Sequence, residues 1–112
     1  MPETKIIKSE ISNILKELLQ EKGINVQKII IFGSYAKGTQ REDSDIDVII
    51  VSKDFKDKSI FERVEQTTGI GRELVRKIKK PFDLLFYSDD EWNGSRSLMI
   101  NMAKESGEVI YG

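Results

Sequence analysis

Val26-Gln27-Lys28-Ile29-Ile30-Ile31-Phe32-Gly33-Ser34, followed ten residues later by Asp45-Ile46-Asp47-Val48-Ile49-Ile50-Val51, is the stretch whose reading decides the fold of this chain. Both runs are rich in β-branched residues and too short for a typical helix, so each reads as a buried strand. The first runs straight into Gly33-Ser34, and the second opens on two acidic residues. Between them, Gly33 to Asp43 carries Gly38, Thr39 and several charges, which reads as a short helical turn followed by a loop.

Upstream, Ile7, Ile11, Ile14, Leu15, Leu18 and Leu19 recur at spacings of three and four, the stripe of an amphipathic helix that Gly23 would stop. Downstream, Lys53 to Lys58 is a charged connection. From Ser59, Ile60, Phe61, Val64, Leu74, Val75 and Ile78 predict helix, interrupted or kinked at Gly69 and Gly71 and closed by Pro81. Phe82-Asp83-Leu84-Leu85-Phe86-Tyr87 is a third strand. Ser88 and Glu91 form a capping box, and a helix from about Asp89 would carry Trp92, Leu98, Met99 and Met102 as core residues, with an exposed patch for a partner helix as the alternative. Val109-Ile110-Tyr111 reads as a short terminal strand or strap.

Helix and strand thus alternate along 112 residues, the length of one domain spanning 1–112. The fold class is α/β (α+β), a small mixed β-sheet with helices packed on it. The strand order is left open. Charged residues make up 33% and the net charge is −1, so broad nucleic-acid coating is not expected. Between Lys53 and Lys80, however, nine basic residues meet five acidic ones. That reads as a solvated helix face, with a surface for an acidic partner, RNA or a nucleotide tail as the functional alternative. Met1 to Glu10 is polar, unlike a signal peptide, and no apolar run approaches a membrane span. Cytoplasmic location is the expectation, and the sequon Asn93-Gly94-Ser95 then reads as chance.

The chain contains no cysteine and no histidine. Thiol nucleophiles, Cys or His zinc sites, Ser-His-Asp triads and His general bases are excluded. Acid–base or metal chemistry falls to carboxylates, lysines, tyrosines or water; the 19 acidic residues come first, with oxygen-loving cations such as Mg²⁺ as natural partners.

One constellation suits that chemistry. Residues i and i+2 of a strand face the same side, so Asp45 and Asp47 project together, about 7 Å apart at Cα. Asp83 enters another apolar strand at a similar depth. Three carboxylates at one sheet edge suit two Mg²⁺ about 3.5–4 Å apart, the spacing used in phosphoryl or nucleotidyl transfer. Gly33 permits close backbone approach, and Ser34 caps a turn whose free N–H groups favour phosphate. Lys37 and Arg41 follow as counter-charges for a triphosphate. Competing motifs fail: Gly38 is followed by Thr39-Gln40, not the P-loop Lys-Ser/Thr, and Gly69-Ile70-Gly71 lacks a third dinucleotide-fingerprint glycine.

Gly33-Ser34, ten residues, Asp45-x-Asp47 and the later strand residue Asp83 resemble the DNA polymerase β-type nucleotidyltransferase superfamily. Ile31-Phe32-Gly33-Ser34-Tyr35-Ala36-Lys37-Gly38 and Asp43-Ser44-Asp45-Ile46-Asp47-Val48 are similar, more narrowly, to the minimal nucleotidyltransferases (MNT proteins). The likeness runs over nearly the whole chain, to the terminal Gly107-Glu108-Val109-Ile110-Tyr111-Gly112. It implies that Asp45 and Asp47 bind metal and that Asp83 completes the metal site and helps activate an attacking hydroxyl. It implies that Gly33 and Ser34 hold nucleotide phosphates. Lys37 stands where these proteins commonly have Arg, keeping the charge without the bidentate fork. By the same resemblance the substrate is ATP, and AMP passes to a hydroxyl, a tyrosine, of a helical HEPN toxin in a hetero-oligomer. The chain would then be the antitoxin of a type VII toxin–antitoxin pair. A chain of this length leaves no room for a domain that grips the acceptor, which fits an acceptor on another polypeptide. The alternatives are a non-catalytic antitoxin that neutralises its partner by covering it, and, more remotely, transfer to a small molecule such as an aminoglycoside.

Overall fold

The computed structural model describes residues 3–33, 45–94 and 97–112, with the side chains described from Lys8 onward. Helix α1 (Glu3–Glu21) leads into β1 (Lys28–Phe32), and β2 (Ile46–Val51) follows. A 3₁₀ turn (Lys53–Phe55) then precedes α2 (Ile60–Gln66) and α3 (Ile70–Ile78). The chain closes with β3 (Phe82–Tyr87), α4 (Asp89–Asn93), α5 (Leu98–Ser106) and β4 (Glu108–Tyr111). The predicted turn and loop after Gly33 lie outside the described residues.

The strands form one sheet in the order β3-β2-β1-β4. β1 pairs antiparallel with β2 and with β4, whereas β2 pairs parallel with β3. The mixed sheet is as expected. The parallel pair needs a long crossover, and the two helices α2 and α3 supply it.

Alternation along each strand splits the apolar residues between two faces. On one face Ile29, Ile31, Ile46, Val48 and Ile50 pack against the α1 stripe, Ile11, Leu15 and Leu19, and against Ile70 and Leu74 of α3. On the other, Ile30, Ile49 and Val51 meet Trp92, Ile100 and Ala103. The long α1 and the shorter α3 therefore seal the first face. Among the described residues, α4 and α5 supply the buried cover of the second.

Three details depart from the sequence reading. The charged connection hides Phe55, fully buried and edge-on to Phe86 with ring centroids 5.4 Å apart. The helix after Asp89 is two helices, because α4 ends at Gly94 and Ser97 caps a new start. That break resets the helical phase. Trp92 is core as expected, but Leu98, Met99 and Met102 are exposed, since α5 turns Ile100 and Ala103 inward instead. The middle helix breaks as foreseen at Gly69, whose φ of +88° suits glycine. Gly71 instead lies within α3, where a Cβ would sit 3.7 Å from Leu84 Cδ1.

A tie that the sequence did not reveal joins α2 to this framework. Buried Arg63 donates from Nη1 to Phe86 O at 2.9 Å and to Glu91 Oε1 at 2.7 Å. Glu91 also completes the expected capping box, accepting from the Ser88 N–H while Ser88 Oγ accepts from the Glu91 N–H. Burial opposes ionisation of Glu91, but the hydrogen bonds from Arg63 and Ser88 win and hold its carboxyl below the usual value. Its contribution is therefore present above the ordinary carboxylate range and lost as pH falls through the lowered value. Arg63→Met is expected to cost about 1–2 kcal/mol at neutral pH, since Glu91 is half exposed and Phe86 O loses its donor. Urea denaturation at pH 7 and at pH 3.5 checks this: the cost should shrink at the lower pH.

Candidate active site

The parallel register places Asp47 directly opposite Asp83, on neighbouring strands about 4.8 Å apart. Asp45, immediately before β2, lies two residues from Asp47. Ile46, Val48 and Ile50 belong to the sealed face, so alternation puts Asp45 and Asp47 on the other one. Asp83 shares that face, because Leu84 and Phe86 pack into the sealed core while Leu85 and Tyr87 do not. Asp47 of β2, Asp83 of β3 and Asp45 just before β2 thus share the second face, at the end of the sheet where β2 and β3 begin.

Their electrostatics record the meeting. Burial pushes the Asp47 carboxyl up from its ordinary value, and the like charges of Asp83 and Asp45 push it further. Asp45 and Asp83 are exposed, whereas Asp47 is half-buried. Phe32 is the cross-strand partner of Asp47 and gives it an apolar neighbour. Only the register shows which acid Phe32 meets.

Gly33 ends β1 with a φ of +75°, a left-handed conformation that glycine adopts freely. A Cβ at this position would lie 2.6 Å from Asp47 Oδ2. The glycine therefore makes room for the carboxylate itself, a reason for Gly33 that the sequence reading did not contain. Ser34, Lys37 and Arg41, expected to hold phosphates, lie outside the described residues.

Hard oxygen donors whose mutual repulsion raises a pKa suit a divalent cation such as Mg²⁺. Among the described residues, no group of three or more acidic side chains is drawn together tightly enough to enclose an ion. The donor chemistry fits such an ion.

The model of a nucleotidyltransferase domain matches residues 9–108. The chain belongs to this family, and it is an enzyme of the nucleotidyltransferase class. Two relatives from Methanocaldococcus jannaschii carry the name "Putative protein adenylyltransferase". The first is 41% identical over 83 residues, covering 66% of this chain and 84% of the relative. The second is 36% identical over 78 residues, covering 62% and 77%. A crystal structure of a toxin-antitoxin with AMP-PNP shares the fold at a TM-score of 0.63 and 24% identity, over 89% of this chain and 72% of the other. The complex of a tri-AMPylated Shewanella oneidensis HEPN toxin with MNT antitoxin aligns at a TM-score of 0.60 and 18% identity, over 97% and 72%. Among the described residues no helix is long and apolar enough to cross a membrane.

Proposed function

We propose that this enzyme transfers AMP from ATP to a hydroxyl, a tyrosine, on a partner protein of the HEPN type, in an antitoxin role within a hetero-oligomer. The observation that carries this reading is the opposition of Asp47 and Asp83, with Asp45 beside them on the same sheet face. Support for a protein acceptor comes from the name shared by the Methanocaldococcus relatives. Support for the partner comes from the toxin–antitoxin complexes that share the fold.

In this reading the acceptor oxygen attacks the α-phosphorus of ATP. The bond from that phosphorus to the bridging oxygen breaks, pyrophosphate leaves, and the hydroxyl proton passes to Asp83. Asp45, Asp47 and Asp83 would hold Mg²⁺. Such ions, when bound, neutralise charge on the attacking and leaving oxygens. Gly33 keeps the Asp47 carboxylate in place by leaving its space free. Ser34, Lys37 and Arg41 are assigned to the phosphates.

The test uses purified protein, Mg²⁺, ATP labelled at the α-phosphate, and a co-expressed HEPN candidate or host extract. Label is expected on one protein band and is expected to vanish with Asp45→Asn plus Asp47→Asn. A stable partner complex without label, from wild type and variant alike, would replace transfer by neutralisation through binding.

A further inference from the structure

We propose that Phe32 is a positioning residue for the carboxylate centre: its ring walls one side of Asp47 and so sets the direction in which that carboxylate meets a divalent cation. The inference rests on the transfer reading above and adds a residue outside the acidic set.

Phe32 and Asp47 are direct cross-strand partners in the antiparallel pairing of β1 with β2. Residues so opposed carry their Cβ atoms about 4.5–5.5 Å apart on one face, within reach of an aromatic ring. On the other side of Asp47, at the same level, stands Asp83. Asp47 therefore has a carboxylate as one lateral neighbour and a phenyl ring as the other. It is half-buried, whereas Asp45 and Asp83 are exposed, so of the three acids the one beside the ring is the one that is covered.

The ring is itself held. Phe32 packs on the cluster that Ile30 and Ile49 form with Trp92 and with Ile100 and Ala103 of α5. The end of α5 presses on β1 just before Phe32: a Cβ on Gly107 would lie 2.9 Å from Ile30 Cγ2 and 3.2 Å from Ile31 O. The residue after Phe32 works the other way. Gly33 leaves free the space that Asp47 Oδ2 uses, 2.6 Å from where a Cβ would be. The carboxylate thus leans along β1 toward Gly33, with the ring beside it. A phenyl ring fills lateral space without donating or accepting a conventional hydrogen bond, so it restricts the carboxylate without competing for its oxygens. A ligand oxygen held before the ion arrives loses less freedom on binding, and groups that orient metal ligands are worth about 10–100-fold in affinity.

Mn²⁺ alone is the probe, titrated into the full chain and followed by the EPR signal of the free ion, with Asp45→Asn plus Asp47→Asn as the blank. Phe32→Ala is expected to weaken Mn²⁺ binding about tenfold, and Phe32→Leu, which keeps most of the apolar bulk, to restore most of it. Val51→Ala trims the same cluster at the far end of β2 and is expected to lower the melting temperature while leaving Mn²⁺ binding as in wild type. With α-labelled ATP and acceptor, Phe32→Ala should lower kcat, leave KM for the acceptor unchanged, and recover part of its rate as Mg²⁺ is raised. If Phe32→Ala does not fold, Phe32→Val carries the same comparison. Unchanged Mn²⁺ binding in the folded Phe32 variants overturns the role. So does an equal loss in Val51→Ala, which would make the effect one of general destabilisation. Absence of Mn²⁺ binding by wild type overturns the ion site and the transfer reading with it, a result distinct from binding that ignores Phe32.

Discussion

Asp47→Asn is expected to lower nucleotidyl transfer by about a thousandfold or more, equivalent to several kcal/mol of lost transition-state stabilisation. In the same protein it is expected to raise the melting temperature. The two effects have one origin. Folding places Asp47 in partial burial beside Asp83 and Asp45, so its carboxyl titrates above its ordinary value. Between the unfolded and the raised folded pKa the folded chain binds more protons than the unfolded one. Stability therefore falls as pH rises through that window, and the full penalty persists at neutral pH. Asn removes the charge and the penalty. Because Asp47 is only half-buried, solvent screens much of the repulsion, and the gain should be small, about 1–3 °C. Differential scanning fluorimetry without divalent ions should show the rise at pH 7 and its loss near pH 3.5. Added Mg²⁺ should stabilise the wild type more than the variant. A variant less stable than wild type at pH 7 would remove the electrostatic account of this cluster.

Gly33→Ala is expected to damage both stability and transfer, although alanine adds one methyl group. The backbone is left-handed here at φ +75°, which costs an L-residue about 1–2 kcal/mol. The new Cβ also meets Asp47 Oδ2 at 2.6 Å. The carboxylate has to swing away, and under the proposed transfer its displacement is expected to cost about a hundredfold in rate. The melting temperature should fall by about 4–8 °C for each kcal/mol lost. A double-mutant cycle with Asp47→Ala separates the causes. Without the carboxylate, Gly33→Ala should cost only the backbone component. An identical cost in both backgrounds would show that Asp47 is not what glycine accommodates.

Much of the molecule was legible before its fold was known. The stripe of α1 announced its buried face, and Ile11, Leu15 and Leu19 are fully buried. The β-branched runs gave β1 and β2, because only strands bury so short an apolar segment on both faces. Gly69 and the capping box at Ser88 are local devices, set by backbone sterics and by hydrogen bonds three residues apart. The helix after Asp89 was misjudged because an apolar list does not state its phase. Gly94 and Ser97 restart the helix, and Leu98, Met99 and Met102 turn outward.

The candidate site divides in the same way. Sequence by itself determined that histidine and cysteine chemistry is excluded, which put the carboxylates first, and that Asp45 and Asp47 share a face, since strand side chains repeat every two residues. It also singled out Gly33 and Asp83. Only the tertiary structure decided that Asp83 stands opposite Asp47, because register between strands 36 positions apart depends on how α2 and α3 carry the chain back to the sheet. Only it decided that Gly33 yields its side-chain space to Asp47, and that Arg63 reaches across to Phe86 and Glu91. Periodicity and capping are short-range and can be read along one chain. Register, close approach and burial are properties of segments that become neighbours only when the chain has folded.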